Sequence, residues 1–142
     1  YTSMAMRKSF EKVIAESDFL SLHCPLTDET RGLIDAVALR AMKPNAILIN
    51  ASRGPVVVRA DLDHALREKW IAAAALDVTD PEPLPADDPL YDLPNCLIVP
   101  HIGSATQHTR KRMAELACEN LLAGLRGERL PHCVNPEVYR NL

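Results

Sequence analysis

Ala46-Ile47-Leu48-Ile49-Asn50-Ala51-Ser52-Arg53-Gly54 opens on four apolar residues in a row and closes on a charge and a glycine. A short apolar run cut off by polar residues is the pattern of a strand covered on both faces, as in a parallel sheet. Phe19-Leu20-Ser21-Leu22-His23 repeats the pattern and stops at Pro25, where a proline ends strand pairing. Ile71 to Val78 and Cys96 to Val99 give two further strands.

Between the strands the spacing turns helical. Phe10 to Ala15 carries apolar positions three and four apart, and Ala36 to Met42 follows Asp35, a side chain suited to cap a helix start, and stops at Lys43-Pro44. Ala60 to Trp70 predicts a helix with Leu62, Ala65, Leu66 and Trp70 on its inner side. Five prolines between Pro81 and Pro94 rule out a helix there and predict an irregular surface segment. Thr106 to Leu125 predicts a long amphipathic helix with Met113, Leu116, Ala117, Leu121 and Leu125 on one side, closed by Gly127, before an extended tail.

Alternating strands and helices at this spacing imply an α/β fold: right-handed crossovers and a parallel sheet with helices on both faces, the second half of a doubly wound, Rossmann-like sheet. The five glycines (Gly32, Gly54, Gly103, Gly124, Gly127) are dispersed, and no G-x-G-x-x-G occurs. The usual pyrophosphate cradle is absent from these residues. Positions 1–126 are therefore expected to be the carboxyl-terminal part of a dinucleotide-binding domain, and 127–142 a tail toward a separate substrate domain.

Composition narrows the partners. Of 142 residues, 47% are hydrophobic and 25% charged, which excludes a chain dominated by disorder. A net charge of −3 builds no field for nucleic acid or an anionic membrane, so small molecules are the expected partners. The apolar runs are far shorter than the roughly 18 residues of a membrane span, and no signal pattern opens the chain, so a cytoplasmic protein is expected. Cys24, Cys96, Cys118 and Cys133 show no paired spacing, which predicts reduced, mostly buried thiols and no metal site.

Three segments place polar groups just past a strand's carboxyl end, where open parallel sheets bind ligands. Arg53, beside a glycine, can aim its rigid fork at a carboxylate, although a lone arginine more often caps a loop or pairs with a surface acid. In Asp77-Val78-Thr79-Asp80-Pro81-Glu82-Pro83 the flanking prolines would fix Glu82, although such loops are commonly just solvated. His101, between Pro100 and Ile102-Gly103, is by itself an ordinary structural histidine. A neighbouring carboxylate favours the imidazolium and keeps a transferable proton at hand. Together, Arg53, Glu82 and His101 supply an anion clamp, an orienter and a general acid converging on one crevice.

The stretches SDFLSLHCPLTDETRGLID (17–35), MKPNAILINASRGPVV (42–57), AAALDVTDPEPLPADDPLYDLPNCLIVPHIGSAT (73–106) and ENLLAGLRGE (119–128) together resemble the D-isomer-specific 2-hydroxyacid dehydrogenase family. Within it, DVTDPEPLP and PHIGSAT are most similar to the glyoxylate/hydroxypyruvate reductases. Phosphoglycerate, D-lactate and formate dehydrogenases match less well, the last because that branch carries glutamine where this chain has Glu82.

The resemblance implies hydride transfer between NAD(P)H and a small 2-keto or 2-hydroxy acid, taking glyoxylate to glycolate or hydroxypyruvate to D-glycerate. Arg53 would bind the substrate carboxylate and carbonyl, His101 would give the proton, and Glu82 would hydrogen-bond His101. Asp77 would meet the nicotinamide carboxamide, with Cys24, Pro25, Thr30 and Ala51 lining the cofactor and Ser104 at substrate or nicotinamide. The full-length enzyme is expected to be a homodimer, and the chain as given to catalyse poorly alone. Thr2 and Ser3 stand where an acid would hold an NAD ribose, with Arg7 and Lys8 close behind, which tilts the expectation toward NADP over NAD. A nicotinamide-sensing, corepressor-type protein of the same fold is the alternative of a different class.

Overall fold

The computed structural model describes residues 6–141. Its elements run α1 (Phe10–Glu16), β1 (Phe19–Leu22), α2 (Ala36–Ala41), β2 (Ile47–Asn50), α3 (Arg59–Arg67), β3 (Ala73–Leu76), β4 (Cys96–Ile98) and α4 (Gln107–Leu125), with short 3-10 turns at Gly54–Val56, Pro89–Asp92 and Pro136–Asn141. They form two compact units, one ending at Ile102 and the other beginning at Gly103.

In the first unit the four strands pair in parallel in the order β1-β2-β3-β4. Each step between neighbours requires a crossover, and α2 and α3 supply two of them. Because the strand order never reverses, crossovers of one hand fall on one side: α1 packs on α2 and α2 on α3. The expectation of helices on both faces is thus corrected for this unit, whose three helices share one face.

That face holds the core. Leu20, Leu22, Leu48, Ala74 and Leu76 alternate inward from the strands to meet Ile14, Leu39, Leu62 and Leu66. On the other face Phe19 is 71% exposed and Leu97 62%, and Ile47 and Ile49 are half-buried. β2 was expected to be covered on both faces; it is fully buried on one alone, for the same topological reason.

Local chemistry sets the helix ends. Asp35 caps α2 as expected, its Oδ1 accepting from Ala38 N at 2.9 Å, and Asp61 of α3 accepts from Ala36 N at 2.8 Å, tying the two helices together. α3 ends at Arg67, short of the expected Trp70, where Lys69 takes a left-handed φ of 54°. Trp70 still packs against the core, with the Arg40 guanidinium 3.6 Å above its ring.

In the second unit Thr106 caps α4 and Gly127, at φ 71°, follows its last turn. The apolar stripe expected on this helix is largely solvent-exposed here, Leu125 at 77% and Leu121 at 62%. After Gly127 the tail is not extended. It folds back on α4: Asn120 donates to the His132 carbonyl and accepts from His132 N, His132 pairs with Glu119, and the Tyr139 hydroxyl accepts from Leu130 N.

The cysteines correct another expectation: Cys24, Cys96 and Cys133 are half-buried and Cys118 is exposed, so none is fully enclosed. They are free thiols, and burial pushes Cys96 up to about 11, which keeps it protonated and unreactive near neutral pH.

Candidate active site

Register lines up the strand ends. Leu22, Asn50, Leu76 and Ile98 are partners across the four strands, so the chain leaves the sheet four times along one edge. Adjacent strands lie about 4.8 Å apart, which sets the loops carrying the predicted residues side by side. Cys24 and Pro25 follow β1, Ala51 and Arg53 follow β2, Asp77 and Glu82 follow β3, and His101 follows β4.

After β2 the chain turns within Asn50–Arg53, and the buried Asn50 side chain spans the turn. Its Oδ1 accepts from Ser52 N (3.1 Å) and Ser52 Oγ (2.9 Å), while its Nδ2 donates to the Arg53 carbonyl (3.0 Å). The exposed Arg53 guanidinium donates from Nη1 to the Ser52 carbonyl at 2.7 Å. Cys24, Pro25, Ala51 and Arg53 line an open hollow of about 540 Å³.

Gly54 explains how the loop after β2 meets the loop after β3. A Cβ at this position would lie 1.9 Å from the Thr79 carbonyl oxygen and 2.2 Å from its carbon, so only glycine permits the approach. The contact places the backbone beside Arg53 against the start of the segment carrying Glu82.

After β4, His101 takes a left-handed φ of 51°, a backbone state that costs a residue with a Cβ on the order of 1 kcal/mol. Asp77 Oδ1 holds the next residue, accepting from Ile102 N at 2.7 Å. The turn aims the ring at Glu82, with Nδ1 2.6 Å from Oε1. An ionised carboxylate only accepts, so Nδ1 carries the proton of this bond and Nε2 takes no part in it. Asp77, Glu82, Tyr91, Val99 and His101 line one cleft of about 460 Å³.

The structure thus gathers Asp77, Glu82 and His101 in one cleft, and Cys24, Pro25, Ala51 and Arg53 in a second hollow on the same sheet edge. Thr30 spends its hydroxyl on the loop after β1, donating to the Pro25 carbonyl at 2.6 Å and accepting from Thr27 N at 2.8 Å. Ser104 lies exposed in the second compact unit. Lys8 pairs with Glu16 at 2.5 Å, whereas Thr2 and Ser3 fall outside the described residues. Among the described residues no cluster of histidine, cysteine or carboxylate groups suits a metal ion, and no helix is long and apolar enough to cross a membrane.

Sequence reasoning missed Asn50 and Tyr91. Asn50 did carry a signal: a carboxamide ending an apolar strand is out of place unless its hydrogen bonds are met inside. Tyr91 sits in the proline-rich segment, whose path no periodicity predicts.

A parallel sheet whose carboxyl edge carries a carboxylate-bound histidine and an arginine turn has the layout of a nucleotide-binding fold with groups suited to acid-base chemistry. The chain belongs to the D-isomer-specific 2-hydroxyacid dehydrogenases: the model of that family's NAD-binding domain matches residues 2–103. It is 54% identical over 130 residues to the glyoxylate reductase of Korarchaeum cryptofilum, covering 92% of this chain and 39% of that protein. The crystal structure of TT0316 from Thermus thermophilus superposes with a TM-score of 0.86 at 54% identity, over 89% of this chain and 40% of that one. The NADPH-dependent glyoxylate/hydroxypyruvate reductase of Sinorhizobium meliloti, solved with NADP and malonate, superposes at 0.74 with 36% identity, over 80% and 35% of the two chains. The chain therefore spans about two-fifths of the length of the proteins it matches.

Proposed function

We propose that the protein carrying this chain reduces glyoxylate or hydroxypyruvate, giving glycolate or D-glycerate. The observation that carries the reading is the 2.6 Å contact between His101 Nδ1 and Glu82 Oε1 on the sheet edge that also bears Arg53. The names of the relatives favour these two substrates over other 2-keto acids.

In this reading Arg53 keeps Nη1 on the Ser52 carbonyl and grips the substrate carboxylate with its remaining N–H groups in a two-pronged bond, which fixes orientation and removes part of the entropic barrier. A reduced nicotinamide, when bound, supplies the hydride to the keto carbon. His101 releases its Nε2 proton to the carbonyl oxygen as negative charge builds there, and Glu82 keeps the ring oriented and its charged form stabilised. The keto acid gains a hydride and a proton and leaves as the 2-hydroxy acid.

Cys24, Pro25 and Ala51 form the wall along which the cofactor would lie. Their open hollow beside Arg53 fits a flat ring better than a pyrophosphate, for which these residues offer no glycine-rich cradle. Asp77 would meet the nicotinamide carboxamide, and Thr30 would add to the lining. Arg7 favours NADP over NAD, while Lys8 is already committed to Glu16. A cytoplasmic homodimer is the assembly we infer, with residues 1–126 in the cofactor domain and 127–142 leading to the substrate domain.

The test is NADPH and NADH oxidation by the full-length protein with each keto acid. Turnover with NADPH is expected, and no absorbance loss with either cofactor would favour the sensing alternative.

A further inference from the structure

We propose that Asn50 is a positioning residue for the substrate clamp, acting through Ser52 on the Arg53 guanidinium; this rests on the reading of Arg53 given above. Asn50 is 1% exposed and Ser52 6%, so both polar groups are satisfied inside the protein or not at all. The carboxamide uses both ends. Oδ1 takes two bonds from Ser52, and Nδ2 gives one to the Arg53 carbonyl.

Ser52 is thereby held at its N–H and its hydroxyl, which leaves its carbonyl as a fixed point. Onto that carbonyl Arg53 Nη1 is laid at 2.7 Å. Backbone contacts anchor the turn on its far side: Asp77 N donates to the Asn50 carbonyl at 2.9 Å, and Gly54 abuts the Thr79 carbonyl. The relay runs from a buried carboxamide to a buried serine to an exposed cation. Its effect is to store the guanidinium in one orientation before a carboxylate arrives, so that less conformational freedom is lost on binding.

A leucine at this strand end would keep the core apolar, but would leave the Ser52 N–H and hydroxyl without partners and the Arg53 carbonyl with the Val56 N–H alone, and so the arginine on a loosened loop. No feature of the sheet needs a carboxamide here. The turn does.

The experiment is a double-mutant cycle in the full-length protein, with glyoxylate as substrate and NADPH as cofactor. Asn50→Ala is expected to lower kcat/KM for glyoxylate about tenfold while NADPH affinity holds within about twofold. Arg53→Ala is expected to lose more, and Asn50→Ala added to Arg53→Ala is expected to cost nothing further, because the group it positions is gone. If the two losses multiply, or if Asn50→Ala leaves kcat/KM unchanged, Asn50 is not a positioning residue. Full activity in Arg53→Ala would instead sink the proposed function itself. Should Asn50→Ala fail to fold, Asn50→Asp keeps the acceptor for Ser52 and sets a second oxygen against the Arg53 carbonyl in place of the donor. The same cycle then applies, with an expected loss of about threefold.

Discussion

His101 Nδ1 meets Glu82 at 2.6 Å, and His132 Nε2 meets Glu119 at 2.5 Å, so the described residues hold two histidine–carboxylate pairs of nearly equal geometry. Their settings differ. Glu82 and His101 come from two loops at the carboxyl edge of a sheet, in a cleft shared with Asp77, and the histidine is held in a left-handed turn. Glu119 lies on α4 beside Arg112, at 3.3 Å, and its histidine belongs to a tail clipped down by Asn120. The first pair spends Nδ1 on its carboxylate and keeps Nε2 for a ligand. The second spends Nε2 on holding the chain. A short histidine–carboxylate contact is therefore no sign of chemistry until the surrounding fold gives the other ring nitrogen something to do.

The widest separation between the two pairs should appear in turnover. His101→Ala in the full-length protein is expected to lower kcat about a thousandfold with cofactor affinity preserved, whereas His132→Ala leaves kcat within about twofold. Equal losses, read from steady-state rates, would erase the distinction drawn here.

Next in size is the packing that brings the first pair's loop against Arg53's. Gly54→Ala drives a methyl group into the Thr79 carbonyl and should cost about 3 kcal/mol in urea unfolding. An unchanged midpoint would mean that the loops can part without consequence.

Glu82→Gln keeps the shape of the side chain but removes the charge that stabilises the imidazolium. It should lower kcat by about tenfold to a hundredfold, while Glu119→Gln leaves it untouched. A Glu82→Gln enzyme with native kcat would reduce the first pair to the status of the second.

The smallest effect concerns stability against pH. The bond from His132 holds the Glu119 carboxyl below its ordinary 4.5, so the pair stabilises the fold above that value and the stabilisation fades as pH falls through the lowered one. The small gap in Tm between the native protein and Glu119→Gln should accordingly close on acidification. A gap that widened instead would contradict the tail clip.

Much of this was legible in the chain itself. Each apolar run, at Phe19, Ala46, Ile71 and Cys96, marked a strand because an uninterrupted apolar stretch of that length has few other uses, and Asp35 marked a helix start by its capping chemistry. Arg53, Glu82 and His101 stood out as polar groups just past strand ends, the family resemblance gave them roles, and Glu82 and His101 pair in the structure. Tyr91 was not legible, because its position depends on the path of a proline-rich segment. Asn50 was legible only as a carboxamide out of place at the end of an apolar strand, since its role rests on bonds to residues two and three positions on that only a closed turn can form.

The sequence by itself determined the strands, the helix starts and the kinds of chemical group that end each strand, because these follow from periodicity and from side-chain chemistry within a few residues. Tertiary structure alone decided that α1, α2 and α3 share one face, that Gly54 lies against Thr79, that the tail returns to α4, and that one histidine–carboxylate pair faces a cleft while the other fastens a tail. Those outcomes depend on strand order and on contacts between residues far apart in the chain, which no local pattern encodes.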